Sequence, residues 1–274
     1  MRKRQRIHYN QPIERHANAQ GCSMNTLEDR VAEFWAWRMK VPVETILAPG
    51  THLIAGNADF PPPNRLVLYR SEWNTLILLP LALQPQIETL PLLGSSDHAV
   101  TVDEAVAQIQ AALPALGASF AWRDYYYYQL PERITPRRRP GVRLLTPDSA
   151  ADAAALAVLS AACSDWERAL SQISMEDALV AGCFAGDRLV SVASLLYYFE
   201  GWPVADIGVL THPDWRGQGI AADVIAMLAR HSSSRGEIMQ YRTQEENIGS
   251  QRTAIKAGFI RWTVEEGIAV NPAA

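Results

Sequence analysis

The sequence predicts an α/β protein of mixed α+β character, built in two parts. Three observations support this. From about Gly141 onward, β-prone runs alternate with segments of helical spacing. Residues 26–130 hold a separate mixture of strands and helices. Between them, PERITPRRRPG (Pro131 to Gly141) follows neither period and is rich in proline and arginine, the marks of a domain boundary. A chain of 274 residues suffices for two modest domains with real cores. The expected layout is a flexible basic tail over 1–25, a smaller α+β domain over 26–130, a linker over 131–140 and a second domain over 141–274.

In the first part, Thr26 and Asp29 cap a helix that buries Leu27, Val31, Phe34 and Trp35 and stops before Pro42. Thr45 to Ala55, Arg65 to Tyr69 and Thr75 to Leu79 read as strands. FPPPN (Phe60 to Asn64) is a loop, because consecutive prolines cannot join a ladder. Thr101 and Glu104 form a second capping box, opening a helix that carries Ala105, Ile109 and Leu113. SFAWRDYYYYQL (Ser119 to Leu130) is an aromatic strand. Its alternation sets Tyr126 and Tyr128 on one face, Tyr125 and Tyr127 on the other, with one pair packed inside and the other available.

In the second part the order is strand Val142 to Thr146, helix Ser149 to Ala162, and more helix from Trp166 to Ile173. The strands Ala178 to Ala185 and Leu189 to Tyr198 join through the hairpin turn GDR. A strand from Val204 to Leu210 leads through a glycine turn to a helix from Ile220, whose Val224, Ile225 and Leu228 share one buried face. A strand over Ile238 to Thr243, a helix over Asn247 to Ala257 and a last strand from Phe259 complete the chain.

Apolar residues are 48% of the chain, charged ones 20%, and the net charge is −4. That is an ordinary soluble composition, with no global case for nucleic acid or an anionic membrane. The local basic runs Arg2 to Arg6 and Arg137 to Arg139 read as a solvated tail and a linker. The three cysteines, Cys22, Cys163 and Cys183, form no CxxC pair, and no His stands in a metal-binding motif, so no metal site is expected. No apolar run is long enough to span a bilayer, and the N-terminus lacks the apolar core of a secretory signal. A cytoplasmic protein is expected.

The turn in THPDWRGQGIAADV carries the chemistry. Unpaired N–H groups and a partly positive helix start, preceded by glycines that admit positive φ, make a nest for an anion. An ordinary flexible turn is the plain alternative. A nucleotide P-loop needs a lysine where Ile220 stands. Gly217, Gly219 and Ala222 fit a dinucleotide fingerprint, but THPDWR separates the strand from the first glycine, and too little chain follows for a parallel sheet.

Arg216 to Ala221 also fits R-x-x-G-x-A, and NIGSQRTAIKAGF supplies Asn247, Ser250, Gly258 and Phe259 of a second signature at matching distance. From about Gly141 to Val270 the sequence resembles the GNAT superfamily, which transfers acyl groups from acyl-coenzyme A to amines. The resemblance implies a mixed, mostly antiparallel sheet flanked by helices, with acetyl-CoA as co-substrate. It implies pantetheine pairing along Val209, Leu210 and Thr211. The pyrophosphate would lie on the N–H groups of Arg216, Gly217, Gln218, Gly219, Ile220 and Ala221. Asn247 would sit near the pantetheine arm, with Ser250 beside it; both residues also suit simple capping of the last helix. Many relatives carry a tyrosine acid seven residues after this Asn, and here that position is Ala254. Asp206 is the candidate base, and Tyr241, with Tyr197 and Tyr198, a candidate source of the acid. A solvent-facing strand position for Asp206 and packing roles for the tyrosines stand as alternatives.

The expected function is therefore N-acetyl transfer to the primary amine of a small molecule, with a homodimer as one option for its assembly. A coenzyme-binding sensor that has lost the chemistry is the second reading. A nucleic-acid-associated protein stacking bases on DYYYY is the third. The first domain is expected either to pack over the acyl-transfer cleft and select the acceptor, or to be structural or dimerising.

Overall fold

The structure, a computed structural model, describes residues 26–56, 61–91, 98–135, 137–198 and 202–271; the expected basic tail and Cys22 lie outside them. The chain divides into two compact units, one comprising Glu28–Tyr126 with the C-terminal segment from Arg261, the other Tyr127–Ile260.

The first unit opens with α1 (Leu27–Met39), whose Val31, Ala32, Phe34 and Trp35 are buried. Short α2 (Val43–Leu47) follows, where a strand is expected from Thr45. Pro42 stands just ahead of it with φ −58°, and proline suits the start of a helix. The strand itself, β1 (Gly50–Ala55), begins five residues late. Then come β2 (Arg65–Arg70), β3 (Asn74–Leu79), α3 (Gln84–Ile87) and α4 (Val102–Ala112). The expected capping box of α4 forms: Thr101 Oγ1 accepts from Glu104 N, and the Glu104 carboxylate accepts from Thr101 N at 2.7 Å. The aromatic strand is β4 (Ser119–Gln129). The last strand, β10 (Ile260–Ala269), returns to this unit and pairs antiparallel with β2. The strand order is β1-β3-β2-β10-β4, with β1 and β3 parallel. Leu66, Leu68, Ile77 and Leu79 pack with Ile109 of α4 and Ile268 of β10 as the core.

The second unit contains β5 (Val142–Leu144), α5 (Ala150–Ala161), α6 (Asp165–Ser171), β6 (Leu179–Ala185), β7 (Arg188–Leu196), β8 (Val204–Thr211), α7 (Ile220–Ser232), β9 (Ile238–Gln244) and α8 (Ile248–Ala257). From the end of β4 the strand order is β4-β9-β8-β7-β6-β5. Neighbours from β5 to β8 are antiparallel, and β8–β9 is parallel. Leu156 and Leu159 of α5 close one face over Val180, Val192 and Leu210. The mixed, mostly antiparallel architecture with flanking helices is the one expected.

Two expectations need correction. Tyr126 and Tyr128 form the packed pair, but Tyr127 is buried as well, so of the pair expected to be available only Tyr125 is part-exposed. Tyr126 donates to Glu265 and Tyr128 to Gln240. Second, two arginines of the expected linker, Arg137 and Arg139, are docked on the second unit. Both pair with Asp223 of α7, a carboxylate that is 7% exposed, because a buried carboxylate needs a counter-charge.

Candidate functional site

The site begins where two parallel strands part. The β8–β9 register runs over three pairs, Val204–Ile238, Ala205–Met239 and Asp206–Gln240, while β8 continues to Thr211 and β9 to Gln244. Main-chain groups along a strand alternate between its two neighbours. His212 N donates to Val190 O, and the Leu210 carbonyl accepts from Ser191 Oγ. Leu210 is therefore directed to β7, and its side chain belongs to the core. Ile207, Val209 and Thr211 are directed the other way, as Pro203 is in accepting from Ile238 N at 2.7 Å. Past Asp206 that side faces the gap left by β9. The gap presents amides to a ligand able to pair like a strand.

The gap leads to the glycine turn. Gly217 and Gly219 have φ of +76° and +78°, the left-handed region that glycine enters without Cβ strain. Gly219 is the N-cap of α7 and has no side chain to satisfy the first N–H groups, so those donors stay available to an anion. A Cβ on Gly217 would meet nothing within 4 Å, whereas one on Gly219 would come within 2.5 Å of Lys256 Nζ. The Lys256 ammonium thus lies over the turn. Arg216 is placed differently: its guanidinium pairs with Glu167 of α6 at 2.7 Å and donates to Thr211 O at 3.1 Å. Hydrogen bonds from Ser164 and the nearby Arg216 guanidinium outweigh burial and hold the Glu167 carboxyl below its usual range.

The two catalytic candidates come from opposite faces. A Cβ on Gly208 would strike Ser171 O of α6, so the even-numbered face of β8, carrying Asp206, lies under α6. Tyr198 donates to Gln172 Oε1 at 3.2 Å just beyond the end of α6. Gln172 has φ +52°, a conformation uncommon for a residue other than glycine. Gln240 pairs with Asp206 and shares its face. Tyr241, next along β9, therefore points to the other side, where its hydroxyl meets Ser250 Oγ of α8 at 2.9 Å. Burial pushes the Tyr241 phenol up to about 12, so it is a neutral donor at ordinary pH. Asn247 caps α8, its Oδ1 accepting from Ser250 N at 3.1 Å. Ala254 is buried one turn further on. Tyr197 is committed elsewhere: it donates to Glu237 at 2.5 Å, and burial raises its phenol well above the usual value.

The structure thus joins Asn247, Ser250 and Tyr241 in one hydrogen-bonded group, and sets Val209, Thr211 and the glycine turn along one gap. Reading the sequence missed Lys256, the arginine clamp on Asp223 and Gln172. A lysine in a last helical turn reads as ordinary dipole compensation, and no local pattern brings residue 139 to residue 223. Among the described residues no cluster of three His, Cys, Asp or Glu is placed to hold a metal, and no helix is long and apolar enough to cross a membrane.

A strand thus parts from its parallel neighbour beside a glycine turn that opens a helix. Residues 139–260 match the family model of the acetyltransferase (GNAT) domain, and this part of the chain belongs to the GNAT superfamily. No curated protein matches the sequence. Among solved structures, a GNAT-family acetyltransferase from Colwellia psychrerythraea is 16% identical, with 70% of this chain and 73% of that one covered and a TM-score of 0.47. A GCN5-related N-acetyltransferase from Kribbella flavida is 16% identical over 60% and 66% of the two chains, with a TM-score of 0.42. One from Sphaerobacter thermophilus is 18% identical over 64% and 59%, with a TM-score of 0.43.

Proposed function

We propose that the protein transfers acetyl from acetyl-CoA to the primary amine of a small molecule, by direct attack of the amine on the thioester, in the cytoplasm. The observation that carries this reading is the parting of β8 and β9 after Asp206, which opens directly onto the glycine turn and α7. Pantetheine amides would pair with Val209 and Thr211, and the pyrophosphate would rest on the N–H groups from Gly217 to Ala221, since the Arg216 N–H, one of the expected donors, is spent on Pro213 O. The thioester would then lie at the fork, between the faces that carry Asp206 and Tyr241.

An amine with a pKa of about 10.4 is mostly protonated near neutral pH and must lose a proton before it attacks. Asp206 is the proposed acceptor of that proton, directly or through water. As the C–N bond forms and the C–S bond breaks, charge collects on sulfur. The Tyr241 hydroxyl would donate a hydrogen bond to it. A phenol at about 12 holds its proton more tightly than a thiol at about 8.5. Tyr241 therefore stabilises the thiolate, and water supplies its proton. In this reading a phenol from β9 serves where many relatives use one from the helix. Positioning of the thioester contributes as well, worth up to roughly 7–11 kcal/mol in well-oriented systems. Ala254 favours a second reading, a coenzyme sensor without turnover.

Gly219→Asp tests the coenzyme site. Aspartate tolerates the left-handed conformation better than most residues, so the fold should persist while its carboxylate repels the pyrophosphate. Calorimetry should show acetyl-CoA binding abolished in a folded variant. Unchanged affinity would remove the glycine turn from the coenzyme site.

A further inference from the structure

We propose that Arg139 is a positioning residue for coenzyme binding, setting the glycine turn in its anion-accepting form and cancelling a charge that would repel the ligand. The inference rests on the acyltransferase reading. Its first support is a single peptide. Arg139 Nη2 donates to the carbonyl of Gln218 at 3.1 Å. That carbonyl and the N–H of Gly219 belong to one planar trans peptide and point in opposite directions. Holding the carbonyl toward Arg139 turns the Gly219 N–H away from it. In a turn with two glycines this peptide has few other restraints, since Gly217 and Gly219 both enter regions open to flipping.

The second support is electrostatic. Asp223 lies in the first turn of α7, beside the donors that would receive a diphosphate. Alone it would oppose a second anion there. Arg139 Nε pairs with its Oδ2 at 2.5 Å, and Arg137 Nη1 approaches Oδ1 at 3.5 Å. Arg137 Nη2 also donates to Lys256 O at 3.2 Å, and its own carbonyl accepts from Arg230. Arg137, Arg139 and Lys256 are three cations against one carboxylate around the turn, an excess that suits a diphosphate. Arg139 thereby acts through the peptide and Asp223, without contact to the ligand.

The test measures binding of CoA, and of pantetheine without the diphosphate, to the full-length protein by calorimetry or competition. Arg139→Ala should weaken CoA binding about tenfold or more, as expected for losing a charge-assisted hydrogen bond, while pantetheine affinity holds. Arg139→Lys, which keeps the charge but not the two-pronged geometry, should restore part of the loss. The double variant Arg139→Ala/Asp223→Ala should recover the electrostatic share only. With acetyl-CoA as substrate, KM should rise while kcat changes little. Equal CoA affinity in Arg139→Ala and wild type would overturn the inference. So would equal weakening of pantetheine, which marks a general loss of structure, and melting curves of each variant would identify that case. A wild type that binds no CoA would instead defeat the acyltransferase reading itself.

Discussion

Asp206 and Tyr241 take different parts in the proposed reaction, base and hydrogen-bond donor, and they come from opposite faces of the sheet. Asp206 pairs with Gln240 in register, so Tyr241, one residue on, reaches α8 and Ser250 instead. Their variants should differ in kind. Asp206→Asn should lower kcat well beyond any change in acetyl-CoA affinity, and the acidic limb of the pH–rate profile should disappear with the base. Tyr241→Phe should lower kcat about tenfold or more, by losing one donor to the developing charge. Because burial holds that phenol at about 12, above the working range, the loss should be the same factor from about pH 6 to 9. A pH-dependent loss in Tyr241→Phe would show that it transfers a proton. Wild-type turnover in Asp206→Asn would pass the base role to water. Both residues were legible in the sequence as candidates. Their separation by face was not, since it follows from the strand register and from Gly208 packing under Ser171.

At the level of elements, helix starts were the most legible features, because their signals are local. Ser149 caps α5, accepting from Asp152 N at 3.2 Å, and Ser164 with Glu167 boxes α6. The departures came where a side chain acts over distance. Asp152, in the first turn of α5, accepts two hydrogen bonds from Arg143 and one from Thr146 N. The Arg143 guanidinium foremost, then the Thr146 amide, hold its carboxyl below the usual range. A carboxyl lowered by folding stabilises the protein above its unfolded value, near 3.9, and loses that contribution as pH falls through the folded value. The Arg143 side chain is 49% exposed, so solvent weakens the pair. Asp152→Asn should cost about 1–2 kcal/mol of stability at pH 7. Urea titration at about pH 3 or lower should find the gap to wild type narrowed. A gap that stays constant with pH would mean that the carboxylate charge is not its source.

For the molecule as a whole, the order of elements from β5 to α8 and the two glycine-bearing signatures were readable from residues alone. The return of β10 to the first unit was not. Glu266 of this strand is fully buried between Arg70 and Arg123, and Glu265 accepts from Tyr126. Pairings between residues 70 and 266 leave no trace in local periodicity. The arginines of 137–139 show the same limit, since composition marks a break in pattern and says nothing of what the break docks against. Acyl transfer to an amine is tested most directly by incubating the protein with acetyl-CoA and a panel of small amines while following release of free CoA thiol. Release should depend on a particular amine and match the acetylated product mole for mole. Acetyl-CoA binding with no amine-dependent thiol release across the panel would contradict it and leave a coenzyme sensor in its place.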